Sequence, residues 1–590
     1  MSLDGNKYQG LATENGDHEL KEFSNGDVKD VEVAIPKHKD VDSEESEEEE
    51  GEEVEGCINQ FCKQHAKTVR ILKWVVLLAV IYSFTIAASI VNREHSSTLI
   101  GVVIFGTACG ILYALYSLII SYDPPNIIEA AEKKFPRIQM VLGIIVGVIF
   151  LGLIIFFIYS SPVGLEKYRI RKLQALGGLF LYVLLCYTCS KDRSKVKWRC
   201  VLWGLGMQYV FAMLILKTSP GQQLFDFVGD KTTIFLSYAR KGGVFVFGEV
   251  VMNGAYEGDV PDEHRWGYAI WCFSIFIPVL VYFSALVSIL FHLGVLQVII
   301  QGISKVMFYT MQTSVVESLS AAGNIFVGMT EAPLMIRPFI PNMTKSELHA
   351  VMTGGFATIA GGVMAAYIGM GMPAKHLIAA SVMSCPAALA ISKLVYPERE
   401  ISNYSSGKKI TMPQMEDSKN FIEAATDGAS KSISLCLNIV VILIAFISFY
   451  ACFQTWFHYL ALCVNWDITF TELIGYVFVP FAWMLGIEED QCQHAGELLA
   501  TKILINEYVA YSTLSAKVSA GLITQRTHVL MTYALCGFGN VGSMGIQLGA
   551  LSVMAPERKS DLAKLVVSSM LAGTVACQMT ACIAGILLDV

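Results

Sequence analysis

The stretches GNIFVGMTEAPLMIRPF (323–339) and LLATKILINEYVAYSTL (498–514) decide the fold of this chain. Each is largely apolar, yet polar residues interrupt it and each contains one glutamate, Glu331 in the first and Glu507 in the second. Such interruptions disfavour a single straight membrane helix. An ionisable group at membrane depth is costly and indicates a functional site by default. We interpret the two glutamates as parts of one site that two halves of the chain build together.

The composition is that of a polytopic membrane protein. Of 590 residues, 54% are hydrophobic and 16% are charged, and the mean hydropathy is +0.52. A soluble protein of this size would carry about 25% charged residues. Apolar runs of about 20 residues recur, and each is long enough to cross a bilayer. We therefore predict an all-α polytopic membrane protein with about eleven transmembrane helices, at 71–91, 99–120, 138–159, 173–190, 200–216, 267–291, 349–371, 376–395, 431–455, 528–549 and 563–588.

The N-terminal 65 residues are polar and contain the acidic run SEESEEEEGEEVE (43–55). Such a run repels itself, so we predict a disordered acidic cytosolic tail at 1–65. A regulatory or protein-binding role is the alternative.

The 15 cysteines are scattered, mostly through apolar runs, and they show no metal-ligand spacing. We interpret them as small apolar residues that fill space between helices.

The orientation follows from the basic residues of the short loops. With the tail inside, SKDRSKVKWR (190–199), 396–410 and PERKSD (556–561) are all cytosolic. EKYRIRK (166–172) falls outside and opposes this assignment. The majority predicts a cytosolic N-terminus and an extracellular C-terminus.

Two segments, 315–341 and 488–520, fit neither spans nor loops, and we predict that they are re-entrant hairpins. Non-helical backbone at membrane depth is tolerated where protein or a water-filled cavity surrounds it. A glycine-rich helix follows each hairpin, with TGGFATIAGGVM at 353–364 and LCGFGNVGSMGI at 535–546. Two such units entering from opposite faces indicate an inverted repeat.

The repeat divides the remaining chain into six segments. N-terminal transmembrane helices are expected at 66–199, and further helices, one of them interfacial, at 200–292. The first half of the repeat follows at 293–395, a cytosolic loop at 396–430, a helix with a connecting segment at 431–487, and the second half at 488–590.

Several residues of these units could bind a neutral polar solute. Glu331 and Glu507 could accept hydrogen bonds from hydroxyl groups, and a carboxylate makes stronger contacts than a neutral acceptor. Asn540 offers a donor and an acceptor, and Ser543 lies one turn later on the same helix face. Backbone groups freed at Gly328 and Gly362 could join them.

Structural roles are the alternative for these residues. The glutamates could form ion pairs with Arg337 or Lys502, and Asn540 and Ser543 could hydrogen-bond neighbouring helices.

A small cation would need several oxygen ligands. Asn324, Thr358 and the carbonyl groups of Val327 and Ile359 could supply them without a formal charge, as unwound backbone does in broken transporter helices. Packing between hairpin and helix is the alternative role of these residues.

No catalytic pattern occurs in the sequence. We find no G-x-S-x-G, Walker or H-E-x-x-H motif, and so expect neither an enzyme nor an organic cofactor. Pumping would have to draw on an ion gradient.

Three motifs in order resemble the concentrative nucleoside transporter family. The family pattern G-Q-T-E-A-P-L appears as GMTEAPL at 328–334, and N-E-F-V-A-Y appears as NEYVAY at 506–511. The pattern A-L-C-G-F-x-N-x-x-S appears as ALCGFGNVGS at 534–543. The resemblance covers about 200–590, is weaker over 66–199 and is absent from the tail.

The resemblance implies a sodium-coupled nucleoside importer of the plasma membrane that works as a homotrimer by an elevator mechanism. It also implies scaffold helices within 200–292 and 431–487, and two transport-domain halves at 293–395 and 488–590. Its partners would be nucleosides, sodium, membrane lipid and two further copies of itself, and not nucleic acid. A proton-coupled carrier, or a carrier of another small polar solute with this architecture, is the alternative.

The resemblance also implies roles for individual residues. Ribose hydroxyls would bind Glu507, Asn540 and Ser543. The base would be read by Gly328, Met329, Thr330 and Glu331, with Val363 and Phe538 lining the site. Sodium would lie near Asn324, Val327, Thr358 and Ile359.

Met329 departs from the family pattern, which has glutamine at this position. Glutamine can donate to and accept from a base edge, whereas methionine offers at most a weak sulfur acceptor. The flexible thioether would instead accommodate either base class by apolar contact. In the family, glycine at the position of Gly328 accompanies broad selectivity and serine accompanies pyrimidine preference. We therefore expect broad or purine-tolerant transport.

Overall fold

The computed structural model describes residues 152, 166–253, 277–404 and 418–588, and every regular element in these ranges is helical. The all-α expectation is confirmed for that part of the chain. The acidic tail and the predicted spans at 71–91, 99–120 and 138–159 lie outside the described residues. Within them, five helices are long and apolar enough to cross a membrane: Tyr168–Thr188, Trp198–Leu216, Lys345–Gly369, Ala374–Val395 and Pro556–Leu587.

Among the described residues, five α-helices precede the first hairpin. They are α1 (Glu166–Thr188), α2 (Trp198–Leu216), α3 (Ser219–Asn253), α4 (Ile277–His292) and α5 (Val295–Met311). Helix α3 lies within the segment 200–292, in which we expected an interfacial helix. Helices α4 and α5 form a pair bent by 77°. Gly294 lies at the bend with φ +77°, a conformation that glycine adopts without steric cost.

The first half contains a hairpin, a broken helix and a long helix. Hairpin 1 is α6 (Val315–Gly323) followed by a 3₁₀ segment, Ala332–Asn342. The broken helix is α7 (Lys345–Ala357) with α8 (Gly361–Gly369), and α9 (Ala374–Val395) completes the half. Pro333, Pro338 and Pro341 explain the 3₁₀ arm, because proline lacks the N–H that a regular α-helix needs.

The second half repeats this order. After α10 (Phe421–Leu462) and α11 (Phe470–Met484), hairpin 2 consists of α12 (Cys492–Leu504) and α13 (Glu507–Ser519). The broken helix is α14 (Gln525–Leu535) with α15 (Val541–Met554), and α16 (Lys559–Leu587) ends the described chain. Each predicted hairpin segment therefore contains two helical arms separated by a break.

The breaks of the two broken helices pack against each other. Residues 358–360 interrupt the first helix, and residues 536–540 interrupt the second. At the second break, Gly537 has φ +134°, which side-chain-bearing residues rarely adopt. A Cβ at Gly537 would lie 2.7 Å from the carbonyl oxygen of Phe356, near the end of α7. Glycine is therefore required where the two halves meet.

A buried lysine fixes the start of the first half. Lys393 on α9 lies 2.7 Å from the Glu317 carboxylate and donates to Ser346 Oγ at 3.0 Å. Glu317 belongs to the capping box of α6, and Ser346 lies in the first turn of α7. The charged hydrogen bonds hold both helix starts together, and so fix where the opposite ends of α6 and α7 lie.

Three helices differ from the sequence-based expectation. Helix α10 begins at Phe421, inside the predicted cytosolic loop 396–430, because Asn420 caps it by accepting from the N–H groups of Ile422 and Glu423. Helices α5 and α11 were not expected as helices. Helix α11 has only 15 residues, fewer than the about 20 that mark a spanning helix.

Candidate functional site

Glu507 is buried at the tip of hairpin 2, and both of its carboxylate oxygens accept hydrogen bonds. Oε1 accepts from the Tyr367 hydroxyl at 3.0 Å, and Oε2 accepts from Asn540 Nδ2 at 2.7 Å. Tyr367 lies on α8, whereas Asn540 caps α15. Glu507 therefore joins both broken helices.

The local sequence explains why helix starts meet here. Asn506 caps α13 by accepting from Val509 N–H at 2.8 Å, so Glu507 occupies the first helical position. Asn540 caps α15 by accepting from Ser543 N–H at 2.7 Å. Helix N-termini carry partial positive charge and stabilise a carboxylate. Glu507, Asn540 and Ser543, the three predicted ribose ligands, are thus brought together.

The predicted apolar lining residues belong to one buried cluster. Met329, Val363 and Phe538 are all nearly inaccessible and pack in the same hydrophobic core as Tyr508 and Tyr511. Met329 comes from hairpin 1, Val363 from α8 and Phe538 from the break before α15. The cluster therefore connects the base-side residues of the first half with the carboxylate of the second.

Glu331 differs from Glu507 because it is only partly buried and lines a cavity of about 360 Å³. Thr330 Oγ1 donates to Glu331 Oε2 at 3.1 Å. A Cβ at Gly328 would overlap this carboxylate and would lie 3.0 Å from Ala360 Cβ. Gly328 therefore leaves the space that Glu331 occupies. Gly328 and Glu331 line the cavity, whereas Met329 and Thr330 do not.

The far wall of the cavity comes from α4 and α10. It includes Phe283, Ser284 and Ser288 on α4 and Lys431 on α10. Close packing of α8 on α4 limits the cavity, because a Cβ at Gly362 would lie 2.6 Å from Leu280 Cδ1. The predicted base-side residue Glu331 thus faces the predicted scaffold.

The predicted cation ligands lie where two helices end. Helix α6 ends at Gly323 with Asn324 as its C-cap, and α7 ends at Ala357 with Thr358 as its C-cap. A Cβ at Gly354, in the last turn of α7, would lie 3.0 Å from Asn324 Nδ2, so the two ends are adjacent. Helix C-termini carry partial negative charge, which favours a cation between them.

The Asn324 side chain is a second observation that fits a cation ligand. Its side chain is buried, and neither its Oδ1 nor its Nδ2 has a hydrogen-bond partner among the described residues. A buried amide without a partner costs free energy, and a bound cation would remove the cost at the oxygen. The other predicted cation ligands are buried as well. Val327 lies in the break of hairpin 1, and Thr358 and Ile359 lie in the break of the first broken helix.

The ion pairs considered as alternatives do not form among the described residues. Lys502 is fully buried, and its Nζ donates to the carbonyl oxygen of Ala534 at 2.9 Å, at the end of α14. Arg337 lines the cavity with Glu331 but forms no ion pair with it there. The two glutamates are therefore not locked to a neighbouring cation.

Tyr367 is the contact residue that the sequence did not reveal. It lies in an apolar run without a motif, and only the packing of α8 beside α13 brings its hydroxyl to Glu507. The cavity wall on α4 was missed for the same reason, since no local pattern indicates which helix lies opposite hairpin 1.

Three family models match the chain. One described as the C-terminus of the Na⁺ dependent nucleoside transporter matches residues 376–585, and one described as its N-terminus matches 177–250. A third, described as Gate, nucleoside recognition, matches residues 273–374. The third range contains hairpin 1 and α8.

Curated relatives extend the match over most of the chain. Human solute carrier family 28 member 3 is 36% identical over 589 residues, which cover 96% of this chain and 82% of the relative. Rat sodium/nucleoside cotransporter 2 is 37% identical over 545 residues, which cover 89% of this chain and 78% of the relative.

Solved structures show the same fold. CNTnw in an inward-facing substrate-bound state matches with a TM-score of 0.65 and 33% identity, covering 70% of this chain and 97% of that chain. A CNTnw variant in an outward-facing state matches with a TM-score of 0.66 and covers 71% of this chain.

Proposed function

Because this chain belongs to the Na⁺-dependent nucleoside transporter family, we propose that it carries nucleosides into the cell across the plasma membrane, driven by the sodium gradient. Members of this family are membrane transporters and not enzymes, and sodium is their coupling ion. The observation that carries the proposal is the setting of Glu507. Its carboxylate is buried between two donors from different broken helices, in a chain whose family transports nucleosides.

The proposed substrate site has a sugar side and a base side. Glu507, Asn540 and Ser543 bind the ribose hydroxyls, since a carboxylate and an amide supply strong acceptors and donors. Gly328, Met329, Thr330 and Glu331 face the base, and Val363 and Phe538 provide apolar walls. With glycine at 328 and methionine at 329, the base side accepts purines as well as pyrimidines.

The proposed sodium site consists of Asn324, Thr358 and the carbonyl groups of Val327 and Ile359. The unpaired Asn324 amide and the two adjacent helix ends support it. Sodium bound here fixes the tip of hairpin 1 against the break in the first broken helix. The base-side residues begin directly after Val327, so the ion and the base are linked through the backbone.

We propose an elevator mechanism in a homotrimer, with the cytosolic N-terminus and extracellular C-terminus expected from the loops. The mobile part comprises both hairpins, both broken helices, α9 and α16, and these elements bury the polar site among themselves. Helices α2, α4 and α10 belong to the fixed scaffold. The small surface of Gly361 and Gly362 against Phe283 and Leu280 suits a sliding contact.

Uptake of radiolabelled uridine and adenosine into vesicles tests the proposal. The purified full chain is reconstituted, and a sodium gradient or a proton gradient is imposed separately. We expect saturable uptake of both nucleosides under the sodium gradient alone. Uptake driven only by protons would favour the alternative carrier, and no saturable nucleoside uptake under either gradient would refute the proposed function.

A further inference from the structure

Tyr367 connects the two halves of the molecule at the buried carboxylate. Its side chain is fully buried on α8, in the first half, and its hydroxyl donates to Glu507 Oε1, in the second half, at 3.0 Å. Asn540, from the second half, binds the other carboxylate oxygen. Glu507 is thus held from both sides by donors on different helices.

We infer that Tyr367 is a positioning residue for ribose recognition, because it fixes the orientation of the Glu507 carboxylate without itself reading the base. The inference rests on the proposed function, in which Glu507 binds the ribose hydroxyls. It adds a residue of the first half to the sugar side of the site.

The tyrosine ring has little freedom to move. Its centroid lies 4.5 Å from that of Tyr511, and the Tyr511 hydroxyl donates to the carbonyl oxygen of Thr532 at 2.8 Å. One turn further along α13, Ser515 Oγ donates to the carbonyl oxygen of Met370 at 3.0 Å. These contacts join α13 to the end of α8 and to α14, so the Tyr367 hydroxyl stays at a fixed height beside Glu507.

The two protein donors leave acceptor capacity on both carboxylate oxygens. An ionised carboxylate offers about four lone-pair sites, of which Tyr367 and Asn540 each use one. The remaining sites lie on two oxygens whose plane is set by the two donors. Two neighbouring ribose hydroxyls require two acceptors in a fixed relative position, which this arrangement supplies.

Without the Tyr367 hydroxyl, Asn540 alone would hold the carboxylate. The group would then turn about its last side-chain torsion, which is soft because it joins tetrahedral and planar carbons. One oxygen would no longer face the sugar in a defined direction. Recognition of the sugar hydroxyls would weaken, whereas recognition of the base by hairpin 1 would not change.

Tyr367→Phe tests this inference, with Tyr182→Phe as the matched control. Tyr182 on α1 is also fully buried, and its hydroxyl donates to the carbonyl oxygen of Phe481 at 3.3 Å. Both changes remove one hydroxyl and keep the ring, but only Tyr367 contacts Glu507. Vmax/KM is measured for uridine, 2′-deoxyuridine and 3′-deoxyuridine in vesicles of the full-length protein under a sodium gradient. The value for uridine divided by the value for each deoxynucleoside gives two hydroxyl ratios, one for the 2′-hydroxyl and one for the 3′-hydroxyl. The uridine-to-adenosine ratio is measured in parallel.

We expect Tyr367→Phe to reduce the larger of the two wild-type hydroxyl ratios about tenfold, because one hydrogen bond to a charged group contributes about that much. Tyr182→Phe should keep the wild-type hydroxyl ratio, and neither variant should change the uridine-to-adenosine ratio. If Tyr367→Phe lowers uptake of all nucleosides by one factor, or if both variants reduce the hydroxyl ratio equally, Tyr367 is a packing residue and the inference fails.

A binding measurement keeps the test independent of transport rate. In sodium, purified Glu507→Gln and Tyr367→Phe/Glu507→Gln should bind uridine equally weakly, since residues that act through one group are not additive. Additive losses would overturn the inference. If the wild-type protein transports uridine and both deoxynucleosides equally well, Glu507 does not bind the ribose hydroxyls, and the proposed sugar side of the site is refuted.

Discussion

The two hairpins present opposite ends of helices to their ligands. At hairpin 1, α6 and α7 both end beside Asn324, so two negative helix ends surround a neutral, unpaired amide. At hairpin 2, α13 and α15 both begin beside Glu507, so two positive helix ends surround a carboxylate. One repeated topology thus directs negative helix ends at the proposed cation site of the first half and positive helix ends at the buried carboxylate of the second.

Lys502 sharpens the comparison. Its buried ammonium donates to Ala534 at the end of α14, which is the counterpart of α7 in the second half. In the first half, the corresponding last turn of α7 faces the uncharged Asn324. The second half therefore carries its own cation at this helix end, whereas the first half has the uncharged Asn324 at the position where we propose that sodium binds.

The largest expected effect is that of Glu507→Gln. The variant should fold, because glutamine keeps the size of the side chain, and should lose nucleoside uptake about 100-fold or more. Each hydrogen bond to a charged group contributes about 1.5–3 kcal/mol, and two ribose hydroxyls are affected. Uptake is compared at equal surface expression. Glu489→Gln, at an exposed carboxylate before hairpin 2, serves as control and should transport normally; wild-type uptake by Glu507→Gln would remove the residue from the site.

Asn324→Ala should weaken sodium binding without lowering the stability of the fold. The sodium concentration for half-maximal uridine uptake should rise about tenfold, since one oxygen ligand worth about 1.4 kcal/mol is lost. In sodium-free choline buffer the variant should melt at the wild-type temperature or above it, because a buried unpaired amide is removed. A lower melting temperature in choline, with unchanged sodium dependence of uptake, would assign Asn324 to packing.

Gly328→Ser should shift base selectivity on the hairpin 1 side. The new Cβ would displace the Glu331 carboxylate and narrow the cavity beside it. The uridine-to-adenosine uptake ratio should rise about fivefold, because the larger base loses more room. Gly302→Ser is the matched control, since a Cβ there meets no atom within 4 Å. Equal ratios in the two variants would argue against a selectivity role for Gly328.

Met329→Gln should have the smallest effect. Glutamine restores a donor and an acceptor for a base edge, so the uridine-to-adenosine ratio should change about threefold. The effect is limited because Met329 is buried, with its Cβ facing Gly355. A ratio that stays at the wild-type value would clear this position of a part in selectivity.

Local sequence indicated the two segments in which helical arms are separated by a break, but it gave 528–549 as one span where the structure has α14 and α15. Glycine, proline and asparagine mark positions where a regular helix ends, and glutamate in an apolar run marks a site. The segments 315–341 and 488–520 were therefore recognisable before any packing was known. The three residues around Glu507 were recognisable because a family motif contains them.

Tertiary packing decided what local sequence could not. Tyr367 reaches Glu507 only because α8 lies against α13, and a tyrosine in an apolar run carries no mark of that neighbour. Helix α5 was not expected because its buried side is a narrow stripe that includes Leu296, Ile300 and Met307. Glu507 is buried and Glu331 is only partly buried, although their sequence settings are similar. This difference likewise depends on which helices lie opposite each residue.

The sodium dependence of uridine binding tests most directly whether hairpin 1 binds the cation and hairpin 2 binds the sugar. Equilibrium binding to the purified full-length protein is measured in sodium and in choline, for the wild type, Asn324→Ala and Glu507→Gln. We predict tighter uridine binding in sodium for the wild type and a smaller difference between sodium and choline in Asn324→Ala. In Glu507→Gln we predict sodium-induced thermal stabilisation with uridine binding weakened about 100-fold or more. A wild-type uridine affinity that is equal in sodium and choline would contradict a cation site in the first half that supports the substrate site of the second.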